Sequence, residues 1–337
     1  MKRDTKDRKI LSALDLNARA TFQEIGKRVG LSKEVVLYRI RRLEKRRILL
    51  GYTTLVNFSK LGYTGFGIFS RFQNVNEQVK IETLDYLKNI PEIYWIATLG
   101  GKFDLSFGVM CKSIFQFNKL YYQILNKYGK NLTDNKIAIR SELRQSKRSY
   151  LDNNKKQVSK FPLFGEEPEL EIIDSLDSNI LSILSTQARM PIVELAQILK
   201  KPASTLTFRI RDLEKRKIIQ GYTPHIKSQN YGMQSYRLLL FLENMNETSR
   251  KKLFNYAQEN PFMILAVETV GEWNFEVTLE VESHEQLQIE LSKLRNTFMG
   301  NIRNVESLIM FEDDLLYDPY PLKKKQRELL LKNKALK

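Results

Sequence analysis

Apolar residues recur at helical spacing in three short runs near the start of the chain. Ile10, Leu11 and Leu14 share one face of a helix that Asp7 is placed to cap. Thr21 opens a second helix with Phe22, Ile25 and Val29 turned inward, and Gly30 ends it. Ser32 caps a third, on which Val36, Ile40 and Leu43 share a face at ~100° per residue. Helix, short turn at Val29-Gly30-Leu31-Ser32, then helix is the pattern of a helix-turn-helix. The apolar run from Ile48 to Val56 leaves the third helix as a strand, which makes the domain a winged type.

From Gly62 onward strands and helices alternate. Tyr63–Phe72 is apolar and rich in strand formers, and Glu77–Asn89 is helical with Val79, Ile81, Leu84 and Leu87 apolar. Pro91 leads into a strand at Ile93–Leu99, Gly100-Gly101 turns the chain, and Leu105–Met110 returns. Ser113 caps a helix to about Lys127, and Lys136–Leu143 is a last strand. The order βαββαβ is ferredoxin-like, with both helices on one sheet face. The other face needs a cover, and a second domain of the same kind fits it.

That second domain is in the same chain. Shifted by 170, the sequence matches itself without a gap: Arg39-Ile-Arg-Arg-Leu-Glu-Lys-Arg46 lies over Arg209-Ile-Arg-Asp-Leu-Glu-Lys-Arg216, and 19 of 47 positions are identical between 7–53 and 177–223. Gly62, Pro91, Gly101, Ser113 and Asn131 fall on Gly232, Pro261, Gly271, Ser283 and Asn301. The expected organisation is a helix-turn-helix at 1–57, an α+β domain at 58–150, a polar linker at 151–170, the same pair again at 171–227 and 228–320, and a basic tail at 321–337. The two α+β domains are expected to pair face to face as an internal pseudo-dimer, with a further homo-oligomer open to it.

Composition adds a partner. Lys and Arg number 55 against 39 acidic residues, a formal +16, which favours a polyanion. On the third helix the stripe opposite the core face holds Glu34, Tyr38, Arg41 and Lys45, with Arg42 beside it and Lys33 at the N-terminal end. Side chains of this kind suit phosphates and base edges in a major groove of double-stranded DNA. The matching stripe in copy two is Ser204, Phe208, Arg211 and Lys215. Residues 1–50 hold 15 basic and 6 acidic residues, net +9, whereas 171–220 hold 8 and 6, net +2. Copy one is therefore expected to hold DNA more tightly.

No run of about 18 apolar residues suggests a membrane span, and Met1 to Asp7 lacks the apolar stretch of a secretion signal. The single cysteine, Cys111, reads as a small strand hydrophobe and leaves neither a disulfide within the chain nor a cysteine cluster for zinc. Glu312-Asp313-Asp314 reads as a solvated acidic turn, not a metal site. Cytoplasm is the simplest compartment, and no cofactor or metal is expected.

Arg39-Ile40, Leu43-Glu44 and Gly51-Tyr52, together with Gly101-Lys102-Phe103-Asp104, resemble the Lrp/AsnC family, whose helix-turn-helix is followed by a regulator domain with a Gly-x-x-Asp hairpin. The resemblance covers nearly all of both repeats. It implies a transcription regulator that is no enzyme, with an amino-acid effector bound near Gly101, Asp104, Gly271 and Asn274. Three departures stand out. The family's glycine after the recognition helix is replaced by Arg47 and Lys217, the second hairpin has Asn274 for the aspartate, and one chain holds two units.

Two rival readings stay open. One is a nucleoid protein that binds DNA with little sequence preference. The other is an enzyme like the siroheme decarboxylases, which resemble this family and occur as paired or fused units. Those look built on an Arg-Arg pair entering the first strand and a histidine in the middle strand. Here the entries read Leu49-Leu-Gly-Tyr and Ile219-Gln-Gly-Tyr, the middle strands have no histidine, and His225 and His284 are the only two. That disfavours the enzyme.

Overall fold

The computed structural model describes residues 4–152, 163–165 and 169–317. Each copy opens with three helices: α1 (Thr5–Leu16), α2 (Phe22–Val29) and α3 (Lys33–Lys45), then α6 (Ser175–Thr186), α7 (Ile192–Leu199) and α8 (Ala203–Lys215). Thr21 and Glu24 cap α2 reciprocally, Gly30 closes it at φ +67°, and Ser32 accepts from the Val35 amide at 3.3 Å. The cap of α1 is Asp4 and not Asp7. Asp7 lies one turn in, buried, where it binds Arg39 at 2.7 Å and Arg42 at 2.6 Å.

The strand after each recognition helix pairs across copies. β1 (Leu49–Val56) runs antiparallel to β7 (Ile219–Ile226), and Thr53 faces Thr223, its own counterpart at the offset of 170. A pseudo-twofold axis passes there. The strands also cross over in their packing. Val56 joins the core of the second helix-turn-helix, and Ile226 joins that of the first.

The α+β domains follow as expected. Copy one has β2 (Thr64–Phe72), α4 (Glu77–Lys88), β3 (Ile93–Gly100), β4 (Leu105–Cys111), α5 (Ile114–Tyr128) and β5 (Leu132–Gln145). After β6 (Leu163–Gly165), copy two repeats the order with β8 (Gln234–Leu242), α9 (Glu247–Glu259), β9 (Met263–Val270), β10 (Phe275–Val281), α10 (His284–Thr297) and β11 (Ile302–Tyr317). Leu84, Leu87, Phe117 and Ile124 bury the helices against their sheet, whereas Ile81 stays exposed. Glu312 to Asp314 lie within β11, so their backbone is strand and not a turn.

Both sheets face each other, and their edges also join. β5 and β11 are long enough to finish their own sheet and then pair with the other copy's β9 and β3. With β2 on β5, the order β2-β4-β3-β11-β8-β10-β9-β5 closes into a ring of eight strands. Closure leaves no open edge along that ring. Its interior is a third core that mixes the copies: Phe69 meets Trp273 edge-on at 4.8 Å, with Phe103 beside both. The stretch expected to be only linker contributes to this core. β6 pairs with β5, and Phe164 stacks on Phe58 with ring centroids 6.1 Å apart. The basic tail at 321–337 lies outside the described residues.

Candidate nucleic-acid interface

On α3, Val36, Ile40 and Leu43 are buried. The opposite stripe is open: Lys33, Glu34, Arg41 and Lys45 are exposed, and Tyr38 shows 66% of its surface. Arg42 departs from that stripe. Its guanidinium turns back to Asp7 and, with Arg39, straps α3 to α1. Two charge-assisted bonds to one buried carboxylate fix the pose of the recognition helix. The Arg39 hydrogen bond also holds the Asp4 carboxyl below its usual range.

Copy two presents Ser204, Phe208, Arg211 and Lys215 on the matching stripe, all exposed, with Phe208 at 69%. Its strap is weaker. Asp212 replaces Arg42, so Asp177 has one arginine, Arg209, at 3.4 Å. Burial with that thinner compensation, and the nearby Asp174 charge, pushes the Asp177 carboxyl up. α7 and α8 start on Pro191 and Pro202 without side-chain caps.

The two helix-turn-helix units are held as a pair by more than β1 and β7. Arg189 donates to the carbonyls of Ala18 and Ala20 and lies over the Tyr52 ring at 5.1 Å, while Arg19 lies over Tyr222 at 5.0 Å. Arg19 and Arg189 are identical residues at matched positions of the repeat, which is the signal sequence reading could have used. A second tie joins copy one's helices to a strand of copy two. Arg148 donates to Glu280 on β10 at 2.9 Å and to Asp15 on α1 at 3.2 Å; both carboxylates are buried and the guanidinium nearly so. No periodicity announces that triad.

The glycine departures resolve in the backbone. Arg47 and Lys217 both take the left-handed conformation, at φ 52° and 57°, so a glycine-type turn is kept with a charged residue. Such a residue costs about 1–2 kcal/mol in that region.

The hairpin residues expected to hold an effector have structural work. Asp104 accepts the Phe72 amide at 2.9 Å, and Asn274 accepts the Leu242 amide at 2.8 Å. The two therefore act alike, and asparagine replaces aspartate without loss of the acceptor. Gly101 sits at φ +122°, and Gly271 leaves no room for a side chain, since a Cβ there would stand 2.7 Å from the Ile137 carbonyl oxygen. Cys111 is fully buried, which pushes its thiol up to about 11. Among the described residues no helix is long and apolar enough to cross a membrane, and no group of three or more His, Cys, Asp or Glu is placed to hold a metal ion.

Residues 4–44 match the AsnC-type helix-turn-helix domain, and 173–220 match a winged helix-turn-helix DNA-binding domain. The transcriptional regulator Ptr1 of Methanocaldococcus jannaschii is 31% identical over 134 residues, which cover 39% of this chain and 89% of that protein. The chain belongs to the Lrp/AsnC family. LrpA of Pyrococcus horikoshii is 43% identical over 94 residues, 27% of this chain and 65% of that protein. Each such relative corresponds to one of the two units here. A solved structure matches from end to end: the siroheme decarboxylase NirDL, with a TM-score of 0.60, 98% of both chains covered and 12% identity. At that identity the likeness is one of fold, and it shows that the tandem arrangement occurs elsewhere.

Proposed function

We propose that this chain regulates transcription by binding double-stranded DNA through α3 and α8. One observation carries the reading. Two recognition helices, each buried behind and exposed in front, are fixed as a pseudo-twofold pair by β1 on β7. Lys33, Tyr38, Arg41 and Lys45 in copy one, and Ser204, Phe208, Arg211 and Lys215 in copy two, face the DNA. Arg42 supports α3 from behind. Selection of bound duplexes from a random pool, at stated salt, tests this. A defined and asymmetric motif supports a regulator; a flat profile points to a nucleoid protein instead.

NirDL favours a second reading, decarboxylation of siroheme. The histidines argue against it. His225 lies on β7 beside the helix-turn-helix units, and His284 binds Tyr236 at 2.8 Å on the helix side of the sheet. Neither reaches the barrel interior. Incubation with siroheme and measurement of released carbon dioxide tests it; turnover would displace the regulator reading.

A further inference from the structure

The barrel interior also holds a cluster of buried charge. Arg140 on β5 and Arg237 on β8 lie there with 5% and 4% of their side chains exposed, and the fully buried Glu276 on β10 is the carboxylate between them. Glu276 Oε2 accepts from Arg237 at 2.7 Å and from Arg140 at 3.2 Å. Arg140 also donates to the Tyr94 hydroxyl, and both guanidinium groups lie against the Trp95 ring, at 4.9 and 5.7 Å. A guanidinium stays protonated in any protein setting, so two cations face one anion. The neighbouring carboxylates are engaged elsewhere: Glu280 with Arg148, and Glu142 with Arg144 and Arg250. A surplus buried cation is costly unless an anion joins it. The Nε–H groups of Arg140 and Arg237 are buried and have no hydrogen-bond partner.

This cluster breaks the symmetry of the repeat. At the matched positions of copy two, Tyr94, Trp95 and Arg140 become Ile264, Leu265 and Met310; at those of copy one, Arg237 and Glu276 become Gly67 and Ser106. Gly67 and Gly108 make the room. A Cβ at 67 would stand 3.0 Å from Arg140 Nη2, and one at 108 would stand 2.6 Å from the Tyr94 ring. A symmetric dimer would carry two such clusters or none, and this chain carries one.

Both arginines line a cavity of about 90 Å³, otherwise walled mainly by apolar groups such as Leu55, Phe58, Phe164 and Leu265, with the polar Gln145. At roughly 10–15 Å³ per water-sized group, it takes about six to nine of them, the size of a small organic acid. We infer that this cavity binds a small carboxylate with a short apolar tail. The carboxylate offsets the surplus charge and takes the donors left over on the arginines, and the tail rests on Phe58, Phe164 and Leu265. An α-ammonium group has no free carboxylate to meet there, so a plain acid is preferred to an amino acid.

The test uses the whole chain without DNA, so its outcome is separate from that of the DNA-binding reading. Calorimetry with isovalerate and benzoate should show binding. Isovaleramide, benzamide and sulfate should not bind, and leucine should bind more weakly than isovalerate. Arg237→Met should lower affinity for the acids at least tenfold. If that variant fails to fold, Leu265→Trp keeps the charge cluster and fills the cavity with copy one's own residue, and it should abolish binding. Equal binding of amides and acids, tighter binding of sulfate or leucine, no acid binding at millimolar concentration, or acid binding unchanged in the variants would each overturn the inference.

Discussion

Copy one and copy two trace the same fold at a constant offset of 170, yet they divide charge between them. Where the two copies meet, copy one places Lys102 and Lys136, and copy two places Glu272 and Glu306 at the matched positions. Lys102 meets Glu306 at 2.9 Å and Glu272 at 3.4 Å, and Lys136 meets Glu272 at 3.0 Å. Two copies of unit one paired in this way would gather four lysines, and two of unit two four glutamates. The same division appears in the buried arginine cluster and in the Asp15–Arg148–Glu280 triad, where copy two has Ser185 for Asp15 and copy one has Met110 for Glu280. Duplication inside one chain frees each half from being its own partner, so each can specialise toward the other.

The largest effect should come from that triad. Arg148→Ala leaves Asp15 and Glu280 buried without their cation, and removing one partner of a buried pair costs about 3–5 kcal/mol. Denaturant unfolding should report that loss, and a loss below 1 kcal/mol would show that the tie between α1 and β10 adds little.

The lysine–glutamate pairs between the copies come next. Lys102→Glu with Lys136→Glu should destabilise the chain by about 1–3 kcal/mol, a moderate value because these groups are partly exposed and screened. Adding Glu272→Lys and Glu306→Lys should restore most of it. Failure of that rescue would mean that charge does not set the pairing of the copies.

DNA binding should rank the copies in the same direction as their charge. Arg41→Ala with Lys45→Ala should weaken binding and flatten the salt dependence, by ~0.9 in slope for each phosphate no longer neutralised. Arg211→Ala with Lys215→Ala should do so more mildly. A salt titration of both double variants beside the parent decides it, and equal losses would remove copy one as the main anchor.

The smallest effect concerns the strap behind α8. Asp212→Arg restores copy one's arrangement and should stabilise by about 1 kcal/mol at neutral pH, with a buried carboxylate gaining a second donor. Because the folded Asp177 carboxyl is raised, its charge disfavours folding above its own pKa, and that penalty fades as pH falls toward the unfolded value. The gain from Asp212→Arg should therefore shrink in acid. A gain unchanged across that range would assign the effect to packing.

Much of this architecture was legible in the sequence. The apolar spacing in α3, the caps at Thr21 and Ser32, and the βαββαβ order are local properties, and local rules recover them. The repeat implied the pairing of like domains, because one apolar sheet face requires another. The errors were also local. Asp4 and Asp7 are both acceptable caps by residue type, and only packing against Arg39 and Arg42 decides that Asp7 goes inside. Arg42 lies on the flank of the helix, where spacing alone cannot separate a groove contact from a strap. β5 extends beyond its expected ends because its own β2 pairs with its start and the other copy's β9 with its second half.

By itself the sequence determined two units, their elements and the face of each recognition helix, since periodicity and capping act within a few residues of chain. Tertiary structure alone decided which charges meet. Tyr94, Arg140, Arg237 and Glu276 are spread over 183 positions, and no local pattern links them. They come together because β5 and β11 pass from one sheet to the other and close the ring, and because Gly67 and Gly108 leave space on the inner wall. Burial then gives those charges their weight, because in a low-dielectric interior an unbalanced cation cannot be left to water.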